Sequence, residues 1–380
     1  MPDQPAPIAP AGQPDETATA ATAAAESATA ATATAESATA AADESSDHIV
    51  GLHAILAARE RIAGHVHRTP MLSSATAARI LGATGGPRVA DERLYVKAEN
   101  LQYTGSFKPR GMTNKVSTLT ADERRRGIVT LSAGNAAQAY AWAGREAGVH
   151  ATVVMPERAV RSKVDACLGY GAEVVLHGAH VGETLARVHE LVAERGLVYC
   201  HPFDDPAVIA GHGSVGLEIL EDLPDVDVVV VGLGGGGLIS GIAAAVKERR
   251  PSARVYGIEP EGAQGMTLAF ERGEPVTIQP ATVADGLAAP FAGAWTLAMC
   301  RRYLDGVIVI SDPTILAGMR FAAERMKIVL EPAGSAALAA VLFGRVPIRD
   351  GDRVCVVGSG GNVEISRIGA LMDEAAPLPA

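Results

Sequence analysis

Basic residues are absent from the first 47 positions, which carry eight acids: Asp3, Asp15, Glu16, Glu26, Glu36, Asp43, Glu44 and Asp47. The net charge of −10 belongs mostly to this stretch, since the rest of the chain holds 35 acids and 33 bases. No basic stripe runs through that remainder, which excludes a nucleic-acid binder. Aromatic residues are also scarce, at 4%. The four cysteines (Cys167, Cys200, Cys300, Cys355) form no Cys-x-x-Cys pair. A disulfide framework and a zinc site are both excluded by that spacing, and the thiols read as apolar fillers in a reducing compartment. A basic, apolar signal sequence is missing at the N-terminus, so a cytoplasmic protein is expected. One long uncharged run exists, Val228 to Val246, but six of its nineteen residues are glycine. It predicts a strand, a glycine turn and a buried helix, with no membrane span.

Residues 1–47 are a low-complexity run of Ala, Thr, Ser and acids, with AESATA at 25–30 repeated at 35–40. Having almost no large apolar side chain, such a stretch cannot offset its chain entropy, and a disordered acidic tail is expected. From His48 the pattern changes to alternating helices and strands. Helices are predicted over 49–64 and 135–147. Strands are predicted at 94–99, 127–131, 151–155, 173–177, 197–200, 226–231, 254–259, 307–311 and 353–358. Asp312 reads as a helix N-cap with Pro313 following it. Short apolar strands separated by helices predict an α/β fold: two open, parallel-rich twisted sheets flanked by helices, in two domains.

The strongest signal is VGLGGGGLISG, residues 231–241, a glycine turn between a buried strand and a helix. Converging backbone N–H groups and the positive end of the helix dipole make it a phosphate cradle. Gly232, Gly234 and Gly237 also fit the dinucleotide pattern, with Glu259 placed where a ribose-binding acid would stand. Two further polar turns follow strands, SAGN at 132–135 and GSGGN at 358–362. In ENLQYTGSFKPRG, residues 99–111, Lys108 lies between a phenylalanine and a proline. A phosphate cradle, an asparagine amide, a serine hydroxyl and a lysine are what pyridoxal phosphate needs for its phosphate, phenolic oxygen, ring nitrogen and aldehyde.

Eight segments in order resemble the tryptophan synthase β-subunit-like, fold type II pyridoxal-phosphate enzymes, and within them the threonine/serine dehydratases. They are KAENLQYTGSFKPRG (97–111), SAGNAAQA (132–139), HPFDDPAVIAGHGS (201–214), VGLGGGGLISGI (231–242), VYGIEP (255–260), VADGLA (283–288), EPAGSAALAA (331–340) and GSGGN (358–362). The resemblance spans about His48 to Ile368. It implies that Lys108 is the Schiff-base lysine and the base that takes the Cα proton. Phe107 packs near the cofactor, Asn135 reaches its phenolic oxygen, and Ser359 meets its ring nitrogen. Gly234, Gly235, Gly236, Gly237 and Leu238 cradle the phosphate. The substrate carboxylate is received around Ser132, Ala133, Gly134 and Asn135. The implied activity is a threonine ammonia-lyase, removing water from a 3-hydroxy amino acid to give a 2-oxo acid and ammonia.

The resemblance also implies a large cofactor-binding domain from 48–125 and 204–380, a small mobile domain at 126–203, and a homodimer or homotetramer. No metal is expected, because Gly265 stands where some relatives carry a second acid after Glu259. Ala133 replaces the serine base of racemases, which disfavours racemisation. Ala136 replaces a common histidine, and His212 a common glutamine, the latter read as structural. Glu331 is left between helix capping, domain positioning and direct chemistry. No C-terminal regulatory domain is expected after Ile368. A β- or γ-replacement enzyme of the same fold and a nicotinamide oxidoreductase stand as alternatives.

Overall fold

The computed structural model describes residues 48–83 and 86–379. The expected acidic tail, 1–47, lies outside the described residues. Among the described residues ten strands form in chain order: β1 (Met71–Ser74), β2 (Leu94–Lys97), β3 (Ile128–Leu131), β4 (Ala151–Met155), β5 (Glu173–Leu176), β6 (Val198–Tyr199), β7 (Val228–Gly232), β8 (Arg254–Pro260), β9 (Gly306–Ile310) and β10 (Val354–Val357). They make a six-stranded sheet in the order β1-β2-β10-β7-β8-β9 and a four-stranded sheet in the order β5-β4-β3-β6. Every pairing is parallel except β1 against β2. The fold is thus α/β with two parallel-rich sheets. The four-stranded sheet draws all its strands from between Ile128 and Tyr199.

The valine run of β7 shows why this strand lies at the centre. Side chains alternate across a sheet, so Val229 and Val231 face one helical layer while Val228 and Val230 face the other. The first layer comprises helices Leu52–Ile62, Pro206–Asp222, Gly237–Arg249 and Ala294–Tyr303. The second comprises Ala75–Ala83, Asp312–Phe321 and Pro332–Leu342. All four valines are fully buried, each contributing about 1.5–3 kcal/mol. The four-stranded sheet is covered likewise, by Asn135–Ala147 on one face and Val181–Arg195 on the other.

The strand β1 carries no sequence signal of its own, and one sequence expectation is corrected. Asp312 is not the N-cap of its helix: Ser311 holds that position. The Asp312 carboxylate instead accepts from Val283 N at 2.9 Å and from the Thr282 hydroxyl at 2.5 Å. A tertiary loop thus outcompetes the local cap. The four cysteines are all free and buried, and burial pushes each thiol up to about 12. No described helix is long and apolar enough to cross a membrane.

Candidate active site

Parallel strands deliver their carboxyl ends to one edge of a sheet, where open α/β folds bind ligands. Here β7 runs into the glycine turn, β10 into GSGGN, and β2 into the segment leading to Lys108. From the other sheet, β3 runs into SAGN.

Lys108 begins helix Lys108–Ser117, with proline next to it. Its Nζ donates to the Pro202 carbonyl at 3.0 Å and stands 5.0 Å from the centre of the Phe107 ring. Burial pushes the ammonium down to about 8, against a weaker opposing pull from Glu331. At neutral pH this amine therefore both carries and releases a proton readily. The next residue along, Phe203, joins Lys108 to the glycine turn, because a Cβ on Gly235 would lie 2.5 Å from the Phe203 ring.

The turn itself has no room for side chains. A Cβ on Gly234 would stand 2.8 Å from the Leu287 Cα, and one on Gly237 2.8 Å from the Phe203 carbonyl oxygen. Gly236 has a φ of 89° and is the N-cap of helix Gly237–Arg249, with no side chain capping it. The first N–H groups of a helix lack intrahelical acceptors, so a row of backbone donors ends in the positive pole of a 13-residue helix. Leu238 joins this row by its backbone, while its side chain packs into the core. Gly236→Ala is expected to cost about 1–2 kcal/mol for the left-handed backbone alone. A fall in the urea midpoint at unchanged slope checks it.

Gly134 caps helix Asn135–Ala147, again without a side-chain bond to the cap, although its own N–H donates to Ser132 Oγ at 3.1 Å. Ser132, Ala133, Gly134 and Asn135 are all partly exposed. A Cβ on Gly134 would meet nothing nearer than Ser132 Oγ at 4.0 Å, so this helix start opens onto space. Asn135 Nδ2 donates to Glu331 Oε1 at 2.7 Å, and its Oδ1 accepts from Asn362 Nδ2 at 2.8 Å. Ser359, at the end of β10, is buried. Its carbonyl accepts from Phe107 N at 3.0 Å, and Gly360 bridges to Ser106. The predicted residues from four separate segments thus converge: Phe107–Lys108, the glycine turn, Asn135 and Ser359.

Three assignments are sharpened. Glu259, the acid of the dinucleotide alternative, is fully buried and accepts from Met266 N, Thr267 N and Thr267 Oγ1, at 2.7, 3.0 and 2.6 Å. It anchors a helix start and cannot serve a ribose. His212 is fully buried and neither ring nitrogen has a hydrogen-bond partner. Burial, with the Lys108 and Arg110 charges, holds it well below the ordinary histidine value. The sequence alone does not choose among the roles open to Glu331. Its carboxyl lies in the site, pushed up to about 8 by burial and by Asp285.

One residue was missed. Arg110 is fully buried between Glu99 and Glu218. Its Nε and Nη2 bind Glu99 at 2.7 and 2.8 Å, and its Nη1 and Nη2 bind Glu218 at 2.7 and 2.9 Å. Lys97, also fully buried, completes the group on Glu218 at 2.7 Å. Two positive and two negative charges balance, and they pin the Lys108 helix to β2 and to helix Pro206–Asp222. Only Glu99 was close enough in sequence to signal this partnership.

The donor set suits pyridoxal phosphate: an uncapped glycine turn for a phosphate, an amide, a hydroxyl, and an amine with no bonded carboxylate. Comparison with known proteins agrees. The L-threonine dehydratase catabolic TdcB of Escherichia coli is 42% identical over 323 residues, covering 84% of this chain and 95% of that protein. The solved structure of maize serine racemase superposes with a TM-score of 0.79 at 34% identity, covering 86% of this chain and 97% of that one. The processed form of threonine deaminase isoform 2 from Solanum lycopersicum gives 0.76 at 33% identity, covering 85% and 87%. The family described as pyridoxal-phosphate dependent enzyme matches residues 62–360, and the chain belongs to it.

Proposed function

We propose that the protein is a threonine ammonia-lyase, a threonine/serine dehydratase that removes water from a 3-hydroxy amino acid; the released enamine tautomerises to an imine, which takes up water to give a 2-oxo acid and ammonia. The observation that carries this reading is Lys108, an amine lowered to about 8 where the glycine turn, Asn135 and Ser359 converge. The threonine dehydratase and deaminase names of the relatives support it.

Pyridoxal phosphate, when bound, supplies an electron-withdrawing ring that makes the substrate Cα proton removable. Gly234, Gly235, Gly236, Gly237 and Leu238 would hold its phosphate by backbone N–H groups, with Phe107 packing beside it. Asn135 would donate to its phenolic oxygen. Ser359, being uncharged, would meet the ring nitrogen without holding a proton there, which favours loss of the Cβ substituent over transamination. The substrate carboxylate would lie at the open helix start, Ser132 to Asn135. Lys108 takes the Cα proton at its Nζ, and the Pro202 carbonyl keeps that amine oriented. Ala133 offers no second base on the opposite face, which favours elimination over racemisation.

Residues 126–203 would form the small domain and close over the substrate, excluding water; 48–125 and 204–380 would form the large domain. Two contacts support closure, Lys163 Nζ ion-paired with Asp285 and Ser162 Oγ donating to Glu364 Oε1 at 2.7 Å. Four free cysteines fit a reducing, cytoplasmic setting. The family resemblance carries a homodimer or homotetramer with it. Purified protein given L-threonine alone is expected to release 2-oxobutanoate and ammonia in equal amounts. A requirement for an added nucleophile, or no release from threonine, serine or 3-hydroxyaspartate, would overturn the reading.

A further inference from the structure

Glu331 holds the N-cap position of helix Pro332–Leu342, yet its side chain caps nothing. It turns into the site and accepts from Asn135 Nδ2. On the other side of Asn135, Asn362 Nδ2 donates both to Asn135 Oδ1 at 2.8 Å and to the Thr104 carbonyl at 2.7 Å. A backbone carbonyl only accepts, so Thr104 fixes which way the Asn362 amide faces. That amide in turn fixes Asn135, because a flipped Asn135 would set N–H against N–H on the Asn362 side and, against the ionised Glu331 carboxylate, oxygen against oxygen. The relay starts in a constrained loop: Thr104 has a φ of 56° and Gly105 one of 73°. A Cβ on Gly105 would stand 2.4 Å from Asn362 Oδ1. Both hydrogens of the Asn362 amide are thereby engaged, and one of Asn135's.

We propose that Glu331 and Asn362 lock the Asn135 amide in one orientation, making Glu331 a positioning residue that leaves the second Asn135 N–H for the cofactor's phenolic oxygen. This rests on the pyridoxal-phosphate reading of the site. The lock gathers the ends of β3 and β10, the loop before Lys108 and the start of helix Pro332–Leu342 around one donor. Charged groups bearing on Glu331 are Lys108 and Lys163, which favour its ionised form, and Asp285, which opposes it. Either form of the carboxyl offers an oxygen to Asn135.

The test uses affinity of the cofactor-free protein for pyridoxal phosphate, by equilibrium dialysis, and the pH titration of the visible absorption band of the loaded protein. Glu331→Ala and Asn362→Ala are each expected to weaken binding roughly tenfold and to displace the titration of the band. The double variant is expected to be no worse than the weaker single, since both remove the same lock. Glu331→Gln, which keeps an accepting oxygen, is expected to bind nearly as wild type. Its cofactor-free form should differ in another respect. Glu331 is raised from 4.5 to about 8 on folding, so its contribution to stability is complete below pH 4.5 and is lost as pH rises through 8. The Gln variant should lack that decline in melting temperature. Asn362 is only partly buried, so its variant probes the lock even if Glu331→Ala fails to fold. Unchanged affinity and titration in Asn362→Ala, or additive losses in the double variant, would overturn the proposal. Wild-type protein that neither binds pyridoxal phosphate nor shows the band would instead overturn the site reading on which it rests.

Discussion

Lys108→Ala is expected to cut 2-oxobutanoate release from threonine by at least about a hundredfold to ten-thousandfold, the range set by losing a positioned proton carrier. The Glu331 carboxyl is held by Asn135 Nδ2 at 2.7 Å, and neither neighbouring imidazole is placed to take over. The two nearby imidazoles, His201 and His212, are both depressed by burial, the former to about 4. His201 Nδ1 already accepts from Asp204 N at 2.8 Å, and His212 is sealed behind Phe107 at 4.7 Å between ring centres. The fold should not suffer. A lysine lowered from 10.5 to about 8 on folding weakens the folded state, fully below pH 8 and progressively less as pH rises to 10.5. The alanine variant should therefore melt no lower than cofactor-free wild type at pH 7. Full activity in this variant would remove Lys108 from the chemistry, and a large drop in melting temperature would make the lost activity uninformative.

Arg110→Met should cost about 3–5 kcal/mol of folding stability, because it strands two buried carboxylates. Glu99 is fully buried and Glu218 nearly so, and both lose their main counter-charge at once. Lys97 remains to Glu218, but Glu99 keeps only the Thr69 hydroxyl among the partners described. Arg110→Lys should rescue little, since an ammonium cannot span two carboxylates in the planar fork that the guanidinium provides. Urea unfolding at neutral pH reads both variants. A loss under about 1 kcal/mol would mean that this network behaves like a surface ion pair.

Local sequence signals mark most of the candidate site. The glycine turn, SAGN, GSGGN and Lys108 each sit between a strand and a helix, where the chemistry is set by neighbours within a few residues. What escaped depends on partners far along the chain. β1 is only MLSS, with two serines, and becomes a strand because β2 offers it an antiparallel edge. Asp312 has every mark of a helix cap, but Thr282 and Val283 claim its carboxylate. Glu331 precedes a proline-led helix like an ordinary cap, and only the fold brings Asn135, 196 positions away, within 2.7 Å. Arg110 lay inside the most informative phrase in the sequence, yet Glu218, 108 positions later, could not be read from it.

The four buried thiols make the molecule its own clock for opening. The thiolate is the species that alkylating reagents attack, and with thiols held near 12 the folded chain exposes almost none. Labelling can then proceed only through excursions that bring a sulfur to water. Cys167 sits in the core of the four-stranded sheet, whereas Cys300 and Cys355 sit in that of the six-stranded one. Peptide-resolved alkylation rates would therefore time the breathing of each half separately, without a single engineered probe.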